Sequence, residues 1–210
     1  MLFRQSPDKF WNLIARFYAA SPIADKNTYK AKIEKIRSYL SPDSLVLDIG
    51  CGTGTQCGDL AGNVKHVTGI DISSKLLAIA EQRKTERGLD NIDFIHTGLF
   101  DGSLEAKSFD MVMAFYVFHF IEDIDAAFAY IHKLLKPGGM FISETACLGN
   151  SNRTTRTLLG LAGSLGIVPQ INLLTTERLE KSLSQNDFRL VDKIQFSPGN
   201  VEYTLFAKRS

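Results

Sequence analysis

Val46-Leu47-Asp48-Ile49-Gly50-Cys51-Gly52-Thr53-Gly54-Thr55 decides how this chain reads. An apolar run with one embedded acid enters three closely spaced glycines, and a helical pattern follows. Such a run reads as a strand buried on both faces, the kind that fills parallel sheets. Glycine lacks the Cβ that would hold a ligand off and admits the positive φ of a tight turn. The first amides of the next helix then point at whatever lies there. Strand, glycines and helix together form a nucleotide-like cradle.

Outward from that stretch, short apolar runs bounded by Gly, Asp and Asn recur at Leu45 to Ile49, His66 to Ile70, Ile92 to His96, Met111 to Phe115 and Met140 to Ser143. Helical segments separate them, one presenting Leu76, Leu77 and Ala80 on a single face. The alternation predicts an α/β fold with a parallel sheet covered on both faces. Before it, Pro7 after Ser6 and the spacing of Tyr29, Ile33, Ile36 and Leu40 predict two N-terminal helices, stopped by Ser41-Pro42-Asp43. After it come a Gly- and Thr-rich stretch to Asn172, a helix from about Thr176 to Gln185, and runs at Leu190 to Phe196 and Val201 to Lys208. Ser197-Pro198-Gly199-Asn200 reads as the turn between these last runs, which have no room for a crossover helix and should pair antiparallel at the sheet edge.

The glycine spacing is GxGxG, not the GxGxxG of dinucleotide oxidoreductases, because position 55 is threonine. Asp48 would repel a pyrophosphate but suits an ammonium group, so a ligand carrying an amino acid is favoured over a dinucleotide. Asp71, in Gly69-Ile70-Asp71-Ile72-Ser73, stands where a carboxylate accepts hydrogen bonds from a ribose diol. Its competing role is N-cap of the helix starting at Ser74, which Ser73 would fill equally well.

With Phe109-Asp110 opening the fourth run and Leu134-Leu135-Lys136-Pro137-Gly138-Gly139 before the fifth, the chain resembles the class I S-adenosylmethionine-dependent methyltransferases over most of its length. The resemblance implies a Rossmann-like, seven-stranded, mostly parallel sheet with an antiparallel C-terminal hairpin, in agreement with the count of runs. It implies S-adenosyl-L-methionine as cofactor and S-adenosyl-L-homocysteine as product. By resemblance Asp48, Gly50, Cys51, Gly52 and Gly54 hold the methionine part, Asp71 the ribose, and Ile72 one adenine face. Phe115 matches a backbone contact to the cofactor. Gly98 stands where the family often has an acid or amide for the adenine amino group, leaving the Leu99 N–H and, from the next turn, Asp101. Tyr18 resembles an N-terminal cofactor tyrosine of small-molecule enzymes; the other reading is a core aromatic beside Phe10 and Trp11.

His119, just past the fourth run, stands where a methyl acceptor would enter. It is read as lining that site or as a general base removing a proton. Displacement at a sulfonium needs no dedicated base when the reactants are held in line. Glu144 is a further acceptor contact or base, or else a solvated strand-end carboxylate. Ala114-Phe115-Tyr116-Val117 replaces the Asn/Asp-Pro-Pro-aromatic signature of nucleic-acid amino-methyltransferases. Asp110 lies at the wrong strand end for a magnesium cluster, so no metal is expected. The apolar part of residues 146–174, with Leu158, Leu159, Leu161, Leu165, Ile167 and Val168, is a lid over an apolar or aromatic acceptor. Alternatively it is an amphipathic helix completing the core, with Gly160, Gly163 and Gly166 allowing close packing.

The 210 residues, 44% hydrophobic and 22% charged, predict one methyltransferase domain over 1–210, with the helices of 1–41 covering the site. A net charge of +1 with scattered Lys and Arg excludes a strong phosphate-binding footprint, so nucleic acid is not expected. The longest apolar runs are well short of the roughly 20 residues of a membrane span, and no signal-peptide apolar region is seen. Three cysteines fit neither a disulfide framework nor a zinc pattern; a cytoplasmic setting is the expectation. A non-catalytic S-adenosylmethionine-binding or regulatory protein is the competing class.

Overall fold

Leu47 and Ile49 pack into one hydrophobic core and Val46 into another, so their strand, β1 (Leu45–Ile49), is buried from both sides inside the sheet. The computed structural model describes residues 6–23, 25–102, 104–166, 168–194 and 201–210. Its remaining strands are β2 (His66–Asp71), β3 (Ile92–His96), β4 (Phe109–Phe115), β5 (Leu135–Ala146), β6 (Phe188–Ile194) and β7 (Glu202–Arg209). They form one seven-stranded sheet in the order β3-β2-β1-β4-β5-β7-β6. β1 to β5 pair in parallel, while β7 runs antiparallel between β5 and β6. This is the mixed sheet that the runs predict, with the hairpin at the edge. The proposed turn at 197–200 lies outside the described residues.

The helices are α1 (Pro7–Ala20), α2 (Lys26–Arg37), α3 (Thr55–Leu60), α4 (Ser74–Glu86), α5 (Ile124–Leu134), α6 (Arg153–Ser164) and α7 (Thr176–Gln185). Their starts follow local chemistry. Asp25, Ser73, Asp123, Asn152 and Thr175 each accept a backbone N–H from the first turn of the helix that follows, and Pro7 takes the first position of α1. α5 and α7 cover the face holding Leu47, and α2 and α3 the face holding Val46.

β4 begins at Phe109, as the Phe109-Asp110 opening predicts. Two features depart from expectation. β5 begins at Leu135 and not at Met140, because Leu135 already pairs with Phe109 before a register shift. Lys136 to Gly139 is thus a bulged lead-in with Gly138 at φ 73°, not a turn ahead of the strand. The Gly- and Thr-rich stretch contains α6, started by its Asn152 cap. None of the residues of α6 is buried, so it does not complete the core. A Cβ on Gly160 would meet nothing within 4 Å, and one on Gly163 nothing nearer than 3.8 Å, so close packing does not account for these glycines.

Candidate functional site

In a parallel sheet ligands gather at the carboxyl ends of the strands, where the strand order reverses. Here that point lies between β1 and β4. A cavity of about 780 Å³ opens there, lined by Ile49, Gly50 and Gly52 after β1, Asp71 and Ile72 at the end of β2, and Phe115, Tyr116 and Val117 at the end of β4. Thr97, Gly98, Leu99 and Phe100 close one side. Trp11 and Tyr18 of α1 cover it, and His119 and Phe120 complete the wall.

The loop owes its shape to its glycines. Gly50, Gly52 and Gly54 have φ of 67°, 55° and 69°, which side chains other than glycine adopt only with strain. A Cβ on Gly50 would strike Val117 Cγ2 at 2.4 Å, and one on Gly54 would strike Phe94 Cζ at 2.6 Å. A Cβ on Gly52 would meet nothing closer than the Tyr18 ring at 3.6 Å. Gly50 and Gly54 are therefore required by the chain's own packing. Gly52 is the one of the three whose missing Cβ leaves room in the cavity itself.

Asp71 fixes the loop from below. Its Oδ2 accepts the Gly52 N–H at 2.9 Å and its Oδ1 accepts the Ser73 N–H at 2.8 Å. Ser73 caps α4 through its own hydroxyl, so Asp71 is free of the capping role and keeps lone pairs for a ligand diol. Burial raises its pKa. Asn12 of α1 accepts from Ser73 Oγ at 2.8 Å and Lys75 N–H at 3.1 Å, clamping the cover onto α4. Arg83 does the same from the other side, donating to Thr53 Oγ1 at 2.7 Å and to the Ala19 carbonyl at 3.1 Å. Sequence reasoning passed over Asn12, Arg83, Val117, Trp11 and Phe120, since nothing in their spacing marks a contact formed across elements.

Asp48 is buried behind the loop, outside the cavity lining, with a hydrogen bond from the Cys57 thiol at 3.2 Å. Burial pushes its carboxyl up to about 7, because one thiol is a poor substitute for water. Cys51 is likewise buried beneath the loop, its Sγ where a Cβ on Gly69 would fall at 2.9 Å. The structure thus brings Tyr18, Gly50, Gly52, Asp71, Ile72, Gly98, Leu99, Phe115 and His119 to one cavity. It leaves Asp48, Cys51 and Gly54 supporting the loop from behind.

At the third strand, Asp101 does not face the cavity. It takes the Gly98 N–H at 2.6 Å and the Thr97 hydroxyl at 3.0 Å, which folds the loop back on itself. Tyr18 lines the cavity and is 46% exposed, so it is not a core aromatic. Burial, and then the Asp71 and Asp48 charges, raise its pKa and keep it a donor.

His119 is buried, with Nδ1 lacking any hydrogen-bond partner. Burial lowers its pKa to about 4, so the ring is neutral near pH 7. The Asn172 N–H donates to the His119 carbonyl at 2.7 Å, and Asn172 Nδ2 to the Ile121 carbonyl at 3.1 Å, which pins the segment after α6 to this loop. A second cavity of about 670 Å³ lies against the first. The two share Pro7, Phe120, Ile121 and Glu122, and Gly163, Val168, Pro169 and Ile171 line the far side of the second. Glu144 is not a solvated strand-end acid. It is buried in an ion pair with Lys32 of α2, and Lys32 Nζ lies 4.9 Å from the Phe115 ring centroid. Among the described residues no cluster of three or more His, Cys, Asp or Glu converges as a metal ligand set, and no helix is long and apolar enough to cross a membrane.

Residues 47–143 match the family model described as a methyltransferase domain. The ubiquinone biosynthesis O-methyltransferase of Brucella anthropi is 29% identical over 158 residues, covering 71% of this chain and 61% of that protein. The chain thus spans about three fifths of the length of the curated relatives it matches. Among solved structures, the [4+2]-cyclase SpnF superposes with a TM-score of 0.77 at 18% identity, over 99% of this chain and 96% of that one. Geranyl diphosphate C-methyltransferase from Streptomyces coelicolor A3(2), in complex with Mg2+, geranyl diphosphate and S-adenosyl-L-homocysteine, gives 0.71 at 14% identity over 87% and 79%.

Proposed function

We propose, from the premise that this chain belongs to the class I S-adenosylmethionine-dependent methyltransferases, that it methylates a small apolar or aromatic molecule. The observation that carries this reading is the cavity at the β1/β4 switch point, floored by Gly52 and Asp71 and roofed by Tyr18. S-adenosyl-L-methionine supplies the methyl group and a sulfonium leaving group. Its chemistry fits the residues: room above Gly52 for the methionine part, a carboxylate at Asp71 for the ribose, and Ile72 and Leu99 of the same lining for the adenine. The Leu99 N–H is the base contact, because Asp101 is engaged by its own loop. Asp48 meets the ammonium through the loop rather than as a wall, its charge drawn out by the cation that burial otherwise denies it.

The acceptor enters between His119 and Phe120, with its body extending into the second cavity under residues 146–174, which serve as the lid. His119 Nδ1, neutral and unpartnered, accepts a hydrogen bond from the acceptor and orients it. Alignment, with neither a strong base nor a metal ion, provides the acceleration. The relatives named for ubiquinone biosynthesis and geranyl diphosphate support a small, largely apolar acceptor. On this reading the whole chain is one domain, the helices of 1–41 are part of the cover, nucleic acid is no partner, and the setting is cytoplasmic.

A second reading is favoured by the likeness to a [4+2]-cyclase: the fold binds the nucleoside without transferring methyl. Calorimetry and thermal shift with S-adenosylmethionine, S-adenosylhomocysteine and NAD, on wild type and Asp71→Ala, test the cofactor. Both sulfur nucleosides are expected to bind, NAD not, and the variant to lose binding; wild-type silence sinks the reading. Release of S-adenosylhomocysteine with a panel of apolar and aromatic hydroxyl compounds then separates turnover from binding alone.

A further inference from the structure

The outward sides of α1 and α6 carry features that the cavity does not use. The exposed residues of α1 are Pro7, Lys9, Leu13, Arg16, Phe17, Tyr18 and Ala20, and apart from Pro7 and Tyr18 they follow helical spacing along one stripe. Leu13 is 73% and Phe17 79% exposed. In α6 and its last turn, Leu158, Leu161 and Leu165 repeat at three and four residues and are 61%, 54% and 63% exposed. Soluble proteins scatter single apolar residues over their surfaces, but aligned leucines and a phenylalanine left bare on two helices mark a contact surface.

Charge identifies the partner. The sequence has no acidic residue between Asp8 and Asp25, a stretch holding Lys9 and Arg16, and none between Glu144 and Glu177, a stretch holding Arg153 and Arg156. For a chain of net charge +1, this leaves Asp8, in the first turn of α1, as the one acid on either helix. Apolar side chains accompanied by cations and, past the first turn of α1, by no acids describe a helix lying in a bilayer interface. A second copy of the chain meets an obstacle, because a two-fold interface would set these cations against themselves. The two helices also flank one opening: Pro7 at the start of α1 and Gly163 near the end of α6 line the same cavity.

We propose that the outward faces of α1 and α6 seat this chain on an anionic phospholipid surface, with the second cavity opening toward the bilayer. The inference stands on the surface alone and holds whether or not methyl transfer occurs.

Flotation of the full chain with vesicles tests it, using phosphatidylcholine alone and phosphatidylcholine with one quarter phosphatidylglycerol, at low and high salt. The chain should float with the anionic vesicles at low salt and bind the neutral ones at least about tenfold more weakly. Arg16→Gln/Arg153→Gln/Arg156→Gln should lower binding by about tenfold or more. Leu13→Ser/Phe17→Ser and Leu158→Ser/Leu161→Ser should each lower it comparably, with unchanged circular dichroism. The arginine variant leaves every apolar contact in place and keeps the test decisive should a serine variant unfold. The proposal is overturned if the wild type stays unbound on anionic vesicles at low salt, or if the folded variants bind as it does. It is also overturned if sedimentation shows a dimer that Leu158→Ser/Leu161→Ser dissociates.

Discussion

Asp71 reaches across from the end of β2 to accept the Gly52 N–H at 2.9 Å, so the residue proposed to hold the ribose also sets the height of the loop beneath the methionine part. Ligand contact and loop geometry are one interaction. Asp71→Asn keeps a single acceptor where two amides need one, and its amide nitrogen opposes either the Gly52 or the Ser73 N–H. Hydrogen bonds to charged groups are worth about 1.5–3 kcal/mol, so S-adenosylhomocysteine binding should weaken by roughly 10- to 100-fold. Asp71→Ala should abolish it in the calorimeter. Binding by Asp71→Asn within twofold of wild type would refute the coupling.

Gly50 and Gly52 are adjacent in role but differ in what a methyl group would meet. Gly50→Ala drives a Cβ into Val117 at 2.4 Å at φ 67°. The chain should lose stability by about 2–4 kcal/mol, from left-handed strain and overpacking together. Adding Val117→Ala should return the packing part. Gly52→Ala meets only the Tyr18 ring at 3.6 Å, so its stability loss should stay near the strain alone, about 1–2 kcal/mol, while cofactor affinity collapses. Thermal melts with and without S-adenosylhomocysteine separate the two, and equal loss of stability in both variants would contradict the assignment.

The parts of this site written in consecutive residues were legible. Apolar runs broken by glycine give β1, its loop and α3 because backbone requirements are local, and Asp71 follows from its place at the strand end. Asp48 was legible as a buried acid, but not as one screened from the cavity, because its depth depends on Cys57 and the loop packing over it. Glu144 stayed open between acceptor contact, base and solvated acid because its partner, Lys32, lies on a helix far away in sequence. α6 stayed open between lid and core for the same reason, since periodicity shows that a helix has an apolar face and not what covers that face.

Asp48 gives the folded chain a pH dependence with a defined sign. Its pKa is about 7 in the fold against roughly 3.9 unfolded, so between those values the folded chain holds a proton that the unfolded chain has released. The contribution of Asp48 to the stability of the ligand-free protein is therefore fullest below about pH 4, declines as pH rises toward 7, and levels above it. Asp71, also raised by burial, adds slope of the same sign. Asp48→Asn should flatten the urea-unfolding profile over this window in proportion to its share. In the wild type, S-adenosylhomocysteine affinity should rise from pH 6 to pH 8 as the carboxylate ionises, and a pH-independent affinity would rule out an electrostatic pull of Asp48 on the ammonium.

His119 should remain neutral far into acid, because burial holds its pKa near 4. Its ring nitrogen shifts in two-dimensional NMR should stay constant from pH 8 to about pH 5. His119→Gln should then raise the acceptor KM by about tenfold while lowering kcat less than tenfold, as expected of an orienting group. A kcat loss of 10²-fold or more with KM unchanged would identify it as a general base instead.

Lys32 and Glu144 join α2 to β5 directly beside Phe115, and Glu144 also accepts the Tyr116 N–H through its carbonyl at 2.7 Å. Tyr116 stands at φ 58°, a strained conformation for a tyrosine that its surroundings must enforce. Removing one charge strands the other in the interior, so Lys32→Met or Glu144→Gln should each cost about 3–5 kcal/mol. Replacing both, as Lys32→Met/Glu144→Leu, removes the burial of charge along with the attraction and should recover most of that loss. A double-mutant cycle by urea unfolding reads the coupling directly. If the ion pair only stabilises, cofactor affinity in the double variant should match wild type. If it also holds Phe115 and Tyr116 against the cavity, affinity should fall although stability has returned, and this is the result expected from the Tyr116 geometry.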